Sequence, residues 1–403
     1  MFHARLRLPL PVPAGYAPEI ERMLFFVSST ITGFNLVVCD GQVVEISLTS
    51  DQPIEEDRLL GRVVRLLGDE IYASNVAPRK VVWESPAHRD VPGDSFEQLV
   101  SMGAAVRLGV GQVGVGEPML SLMGYLDSLL RDLVVREFGA VEYRYPTLIS
   151  TDVVSRCGYF ESFPHFLMFV TRLHEDTDVY RTVASRFRDG RSADRSILAD
   201  CDNVDYCLPP TMCFHTFNQL QGQRLAPDES RVVTARGKSF RHESRYANTL
   251  ERLWDFTIRE IVFIGSRDDV LQSRQRIMDL VFAEVSELGL MGVCEVANDP
   301  FFRNGVTSGR ILSQRLLELK YELRMNVSAD RTVAVGSFNF HNTFFSDTFD
   351  IRHGDGSAAS TGCVGFGIER MAYAFICQYG TDPARWPARV RSAVTAGNGA
   401  AVR

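Results

Sequence analysis

Residues 240–260 read FRHESRYANTLERLWDFTIRE, two strand-like segments separated by a polar loop. On the first strand, alternation puts Arg241 and Glu243 on one face. On the partner strand, one face carries three regularly spaced residues: Arg252, Phe256 and Glu260. Arginine binds oxyanions through two parallel hydrogen bonds, an aromatic ring offers a stacking surface, and a carboxylate accepts from an amino group. The hairpin therefore has the chemistry to hold a phosphorylated base, although a solvated hairpin face with salt bridges explains this fragment equally well.

Two other stretches carry related signals. Residues 362–371 read GCVGFGIERM, in which a strand ends in spaced glycines and a helix begins at Glu369-Arg370. Glycines allow close backbone approach, and a helix N-terminus beside an arginine attracts an anion. Residues 138–146 read FGAVEYRYP and follow a long helical pattern that ends at Gly139. Each stretch alone is unspecific.

Together and in this order, the three stretches resemble the signature motifs of class II aminoacyl-tRNA synthetases. FGAVEYRYP is similar to motif 1, FRHE and RLWDFTIRE to motif 2, and GFGIER to motif 3, so that the resemblance covers roughly residues 118–380. It implies an α+β fold whose catalytic domain is an antiparallel sheet with flanking helices. It also implies an enzyme that makes aminoacyl-adenylates and a homodimer built through motif 1.

Two cysteines narrow the resemblance. In residues 208–215, LPPTMCFH, Cys213 stands where most seryl enzymes have a glutamate, and motif 3 is preceded by Thr361-Gly362-Cys363. Both features resemble the zinc-dependent, methanogen-type seryl-tRNA synthetases and the bacterial amino acid:[carrier protein] ligases. The resemblance implies one Zn²⁺ bound by Cys213, Glu260 and Cys363, with an open position for the substrate amino group. Without it, these cysteines would be read as ordinary core residues.

The same family suggests roles for the remaining pocket residues. It implies adenine stacked on Phe256 and read by Glu243, Arg370 on the γ-phosphate, and Arg241 between the amino acid carboxylate and the α-phosphate. Arg252 completes the ATP site. The implied amino acid pocket consists of three residues: Asp299, Ser337 and Asn339. The family's metal-bridging acid is missing, because residues 331–336 contain no carboxylate, and the Mg²⁺ ligands around ATP stay unassigned.

The rest of the chain divides into an N-terminal unit, a linker and a tail around the catalytic domain, which we expect over residues 118–385. Residues 1–95 follow a β-α-β-β-α-β order with a hairpin turn at Asp40-Gly41, which predicts a small ferredoxin-like domain. Residues 96–117 are glycine-rich and predict a linker; their G-x-G-x-x-G pattern lacks the helix a dinucleotide site needs. Residues 386–403 predict a flexible tail, and helices are expected at 268–288 and 309–324.

Composition limits the partners. The 403 residues carry a net charge of -7, and residues 1–95 hold nine Lys/Arg against thirteen Asp/Glu. No apolar run approaches the ~18 residues of a membrane span, and eight cysteines in a chain of this size indicate a reducing, cytoplasmic setting rather than a disulfide scaffold.

Three functions remain open at this point. The first is activation of a small amino acid with ATP and transfer to the phosphopantetheine thiol of an acyl or peptidyl carrier protein. Five arginines between 181 and 195 either dock the carrier or belong to a solvated loop. The second is charging of tRNA, with residues 1–95 as a reduced tRNA-binding domain; the acidic charge of this unit opposes it, because nucleic-acid binding relies on clustered basic residues. The third is an inactive synthetase paralogue, which the intact Arg241, Glu243 and Arg370 oppose.

Overall fold

A computed structural model gives the architecture of the chain. It describes residues 1–400 apart from short gaps and two longer ones, which are 18–19, 22–23, 25–26, 29, 68–79, 93–94, 189, 191–193, 227, 244–248 and 298–319. Nor does it describe the side chains of residues 15, 66 and 395–400.

The strands of the described residues are β1 (Phe2–Pro13), β2 (Ile31–Cys39), β3 (Gln42–Ser50), β4 (Val81–Glu84), β5 (Ala105–Gly109), β6 (Gln112–Val115), β7 (Val141–Tyr143), β8 (Ile149–Ser150), β9 (Phe169–Leu173), β10 (Cys201–Cys207), β11 (Arg224–Leu225), β12 (Arg231–Phe240), β13 (Asp255–Gly265), β14 (Gly292–Val296), β15 (Lys320–Asn326), β16 (Thr332–Asn342), β17 (Arg352–His353) and β18 (Ser360–Gly367).

The α-helices whose bounds are described are α1 (Glu56–Leu67), α2 (Ser95–Ser101), α3 (Met119–Phe138), α4 (Thr151–Arg156), α5 (Tyr159–Ser162), α6 (Thr177–Phe187), α7 (Cys213–Gln219), α8 (Arg267–Glu287), α9 (Phe344–Phe349), α10 (Ile368–Tyr379) and α11 (Ala388–Ala400). None of the described helices is both long enough and apolar enough to cross a membrane.

An eight-stranded sheet organises the molecule, in the order β4-β14-β15-β16-β18-β13-β12-β7. All its neighbours pair antiparallel except β7 and β12, which run parallel. One face packs on α3, α8, α10 and α11 and forms the largest apolar core. The other face carries a smaller apolar cluster with α7 and α9, and this is the side on which the site lies. The predicted α+β fold with an antiparallel sheet and flanking helices is confirmed.

Helix α3 and strand β7 form the motif 1 region as the sequence indicates. The apolar residues of α3 recur at helical spacing and are buried from Met119 to Val134. Gly139 ends the helix with φ 60°, a left-handed conformation that glycine adopts without a Cβ penalty. Strand β7 then lies at the edge of the sheet.

The N-terminal unit differs from the prediction in its last strand. Strands β1, β3 and β2 form a separate antiparallel sheet, whose core includes Ile20, Leu24 and Val27 from helical positions and residues of α1. The predicted fourth strand, β4, instead pairs with β14 at the edge of the large sheet. Trp83 explains this, because its ring stacks on Phe282 of α8 at 4.5 Å, against the largest core. The ferredoxin-like prediction is wrong for this strand.

The segment predicted as a linker, residues 96–117, is folded. Helix α2 buries Phe96 and Leu99 in the main core, and β5 and β6 pair as a hairpin. The prediction of a flexible tail over residues 386–403 is wrong for its first part: Trp386 is buried, and Val390 and Val394 of α11 enter the main core. Residues 401–403 lie outside the described part. In both segments a few apolar side chains at regular spacing outweigh the glycine and alanine content.

The predicted helix at 268–288 is confirmed by α8. The predicted helix at 309–324 is wrong where it can be compared, because Lys320–Asn326 is strand β15 and residues 309–319 lie outside the described part. Tyr321, Leu323 and Met325 are buried alternately with half-buried neighbours, a period of two that is typical of a strand.

Candidate active site

One face of the large sheet gathers polar residues from neighbouring strands. In the strand register, Glu322 of β15 lies opposite Ser337 of β16, which lies opposite Gly365 of β18, which lies opposite Glu260 of β13. In the adjacent row, Asn339 lies opposite Cys363. Because paired residues point to the same side of a sheet, the strand pairing alone brings these side chains to one floor.

Two thiols and a carboxylate meet on that floor, and we call Cys213, Glu260 and Cys363 the thiol–carboxylate cluster. One ligand atom from each lies within 4.8 Å of the other two, and all three residues are buried. Strands β13 and β18 supply Glu260 and Cys363, and Cys213 is the first residue of α7, packed in the smaller core. These donors suit zinc, which takes thiolates and a carboxylate and in catalytic sites keeps three protein ligands and one open position.

Contacts from neighbouring side chains hold the thiol–carboxylate cluster in place. Thr211 Oγ1 donates to Glu260 Oε2 at 3.0 Å, and His341 Nε2 lies 3.5 Å from Cys363 Sγ. Gly365 lies directly beside the Glu260 carboxylate, since a Cβ there would be 3.4 Å from Glu260 Oε2 and 3.0 Å from Ile258 Cδ1. Such contacts orient metal ligands in known sites.

Burial makes this cluster costly to ionise without a cation. It raises the pKa of Glu260 to about 7, and the hydrogen bond with Cys213 together with burial raises the pKa of the Cys363 thiol well above its ordinary value. A divalent cation bound here would have to displace these protons, so metal binding at this cluster would release protons and depend on pH.

Three arginines surround the neighbouring part of the floor, and we call Arg241, Arg252 and Arg370 the arginine cluster. The Arg241 guanidinium lies over the Phe256 ring, 5.5 Å from its centre, and Arg252 Nη1 donates to Glu243 Oε2 at 3.0 Å. Burial and then the charge of Arg252 lower the pKa of Arg370 to about 10, with Glu243 opposing. Three guanidinium groups gathered on one floor attract a polyanion.

The two charged residues of motif 3, Glu369 and Arg370, make different contacts. Glu369 is buried and accepts hydrogen bonds from the Thr257 backbone N–H, at 2.8 and 2.9 Å, and from Thr257 Oγ1 at 2.8 Å. It therefore ties the start of α10 to β13. Arg370 is half-buried, donates to the Ala334 carbonyl at 3.2 Å and keeps the rest of its guanidinium for the site.

Most predicted site residues lie close together, but Arg241 and Glu243 differ from the predicted strand positions, and one predicted residue cannot be compared. Strand β12 ends at Phe240, so Arg241 and Glu243 follow the strand instead of alternating along it, although the Arg241 N–H still donates to the Trp254 carbonyl. Asp299 lies outside the described residues. Ser337 and Asn339 are neighbours, since Asn339 Nδ2 donates to Ser337 Oγ at 3.2 Å.

The sequence reading missed the carboxylates Glu295 and Glu322. Glu322 lies 3.2 Å from Lys320 Nζ and 3.5 Å from Arg324 Nη1, and Glu295 lies 3.7 Å from Arg324 Nε. Burial alone would raise the pKa of Glu322, but Lys320 and Arg324 hold it below its ordinary value. For Glu322, the alternation of apolar and polar residues in KYELRMN indicates a strand, whereas the predicted helix covers the same residues.

Comparisons with known proteins agree with this architecture. A solved structure of A. aeolicus tRNASec in complex with M. kandleri SerRS superposes with a TM-score of 0.72 at 24% identity, covering 98% of this chain and 78% of that one. Pyrococcus horikoshii seryl-tRNA synthetase complexed with ATP superposes with a TM-score of 0.55 at 12% identity, covering 76% and 64%. The fold is that of the class II synthetases.

Sequence relatives narrow this class. Amino acid--[acyl-carrier-protein] ligase 1 of Bradyrhizobium diazoefficiens is 34% identical over 257 residues, which are 64% of this chain and 77% of that protein. Type-2 serine--tRNA ligase of Methanothermobacter thermautotrophicus is 26% identical over 392 residues, 92% of this chain and 74% of that protein. No family model matches the chain. The chain belongs to the family of amino acid--[acyl-carrier-protein] ligases.

Proposed function

We propose that the protein activates a small amino acid with ATP and transfers it to the phosphopantetheine thiol of a carrier protein. The observation that carries this proposal is the thiol–carboxylate cluster beside the arginine cluster on one floor of the sheet. The first fits a metal-held amine and the second fits a polyphosphate. The family supports the choice of acceptor.

In the first step, a carboxylate oxygen of the amino acid attacks the α-phosphorus of ATP, and pyrophosphate leaves. Phe256 stacks on adenine, Glu243 accepts from its amino group, and Arg370 holds the γ-phosphate. Arg241 bridges the substrate carboxylate and the α-phosphate, so that charge is neutralised where the new bond forms. Alignment and electrostatics drive this reaction, and no general base is needed because the carboxylate is already ionised.

Zinc, when bound by Cys213, Glu260 and Cys363, would hold the substrate amine at its open position. Asn339 donates to Ser337 Oγ and to Cys363 Sγ, so both polar side chains belong to the same floor and could contact the bound amino acid. Mg²⁺ would enter with ATP. The two carboxylates of the floor's outer strands, Glu295 and Glu322, are paired with Arg324 and with Lys320 respectively.

In the second step, the phosphopantetheine sulfur attacks the carbonyl carbon of the adenylate. AMP leaves with the electrons of the broken C–O bond, the thiol proton passes to solvent or to AMP, and a thioester forms.

Transfer to tRNA is the second candidate, favoured by the longer alignment with type-2 serine--tRNA ligases. Against it stands the N-terminal unit, whose nine basic and thirteen acidic residues would repel a phosphate backbone.

The arginines between 181 and 195 give little support to a carrier-protein docking site. Arg181 lies 3.2 Å from Asp178, and Arg186 lies 2.6 Å from Asp200. Local carboxylates thus neutralise two of the five arginines in this segment.

A dimer through motif 1 is better supported, because β7 is an edge strand with Val141 and Tyr143 exposed, and such edges favour pairing with another chain.

Amino-acid-dependent exchange between ATP and pyrophosphate tests the first step over a panel of amino acids. We expect exchange with one or a few small amino acids; exchange with none would favour the inactive paralogue. The second step is tested by transfer of the radiolabelled amino acid to holo-carrier proteins and, separately, to total tRNA. Apo-carrier proteins are the matched control, since they lack the thiol arm. Stable label on tRNA and none on any holo-carrier would reverse the assignment.

A further inference from the structure

The glycine-rich stretch before motif 1 has no part in the chemistry above. Its glycines include Gly109, Gly111 and Gly114, which belong to the β5–β6 hairpin and not to a strand–helix turn. Gly111 lies in the hairpin turn with φ +66°. A turn of this kind favours glycine on backbone grounds alone.

Gly111 is also required by a close contact. A Cβ on this residue would lie 2.3 Å from Cδ1 and 2.5 Å from Cγ of Trp254. The backbone N–H of Trp254 donates to the Gly111 carbonyl at 2.8 Å. The hairpin turn therefore lies directly against the indole ring and is held there by a hydrogen bond.

Trp254 is in turn attached to the residues of the arginine cluster. Its carbonyl accepts from the backbone N–H of Arg241 at 3.0 Å, and its ring lies 4.6 Å from that of His242. Arg252 and Phe256 are two residues away on either side. A displacement of Trp254 must therefore move the backbone that carries both partners of the Arg241–Phe256 contact.

We propose that the β5–β6 hairpin supports the start of β13 and the residues just after β12, with Gly111 and Trp254 as positioning residues for Arg241, an inference that rests on the proposed function. An added Cβ would force the indole ring back by about 1 Å before it reached ordinary contact distance. A misplacement of about 1 Å at a site built on alignment costs up to roughly a hundredfold.

The test compares Gly111→Ala with Gly103→Ala. Gly103 shares the positive φ, at +74°, but a Cβ there meets nothing within 4 Å, so the control carries the same backbone strain without the contact. ATP binding is measured by titration calorimetry, and pyrophosphate exchange at varied ATP and varied amino acid. We expect Gly111→Ala to bind ATP about ten- to a hundredfold more weakly and, because Arg241 also contacts the amino acid carboxylate, to raise the KM for the amino acid, with metal content unchanged. Gly103→Ala should bind ATP as the unaltered protein does.

Trp254→Leu keeps the inference open to test if Gly111→Ala does not fold. It should weaken ATP binding with unaltered metal content, and adding Gly111→Ala to it should cost little more, because coupled residues are not additive. Equal ATP binding by Gly111→Ala and Gly103→Ala, or fully additive losses in the double variant, would overturn the inference. Normal ATP binding without exchange in the unaltered protein would refute the proposed function alone.

Discussion

Replacing Asp127 with alanine should destabilise the protein strongly, because it removes the main partner of a buried arginine. Arg259 is 1% exposed, and its Nε and Nη2 each donate to Asp127 at 2.8 Å, while Nη1 donates to Glu142 at 2.7 Å. Removing one partner of a buried ion pair costs about 3–5 kcal/mol. At roughly 2 °C per kcal/mol for a large domain, we expect the melting temperature to fall by about 6–10 °C.

The assay is calorimetric unfolding, with Arg131→Ala as the matched control. Arg131 pairs with the other carboxylate of the network, Glu142, at 2.6 Å, but it is 46% exposed. Exposed pairs contribute about 0–1 kcal/mol, so the control should lower the melting temperature by only a degree or two. Asp127→Asn should fall between the two, since it keeps an acceptor. Equal melting temperatures for Asp127→Ala and Arg131→Ala would refute the reasoning.

Three further predictions concern the site and the pH dependence. Cys363→Ser should hold far less zinc than the unaltered protein by elemental analysis, whereas Cys377→Ser, buried within α10, should keep it; equal zinc in both would contradict the proposed metal centre. Arg370→Ala should lower pyrophosphate exchange by about ten- to a hundredfold, since a hydrogen bond to a charged group contributes about 1.5–3 kcal/mol; unchanged exchange would remove it from the ATP site. Burial would raise the pKa of Glu142, but hydrogen bonds from two arginines hold it below its usual value. The contribution of Glu142 to the stability of the fold is therefore present above about pH 4.5 and is lost as pH falls through the lowered pKa. An acid unfolding midpoint unchanged in Glu142→Gln would contradict this.

The sequence predicts the centre of the fold well because that part is dictated by local chemistry. The helix ending at Gly139, the strand pair on either side of the polar loop and the turn into α10 each carry their own signal. The proximity of Cys213 to Cys363 does not come from spacing, since 150 residues separate them, and only the resemblance to a family pointed to it. The structure brings their side chains together.

The wrong predictions share one cause: the composition of a segment does not specify the surface against which that segment packs. The predicted helix at 309–324 overlaps strand β15, whose residues Glu, Leu, Lys and Arg favour helices although its buried side chains alternate. The glycines of the β5–β6 hairpin predict a linker, but one of them is needed for contact with Trp254. Tertiary packing decided both, and propensity did not.

Strand β4 sets where the chain can be divided. It occupies the outer side of β14, and Ser85 just beyond it donates to the Leu290 carbonyl at 2.6 Å. A shortened protein that began after residue 95 would lose this strand and expose β14 as an unpaired edge, the kind of surface on which chains aggregate. Loss of solubility would then be mistaken for a role of the N-terminal unit in acceptor recognition. A cut between α1 and β4 removes the three-stranded sheet and leaves the large sheet whole.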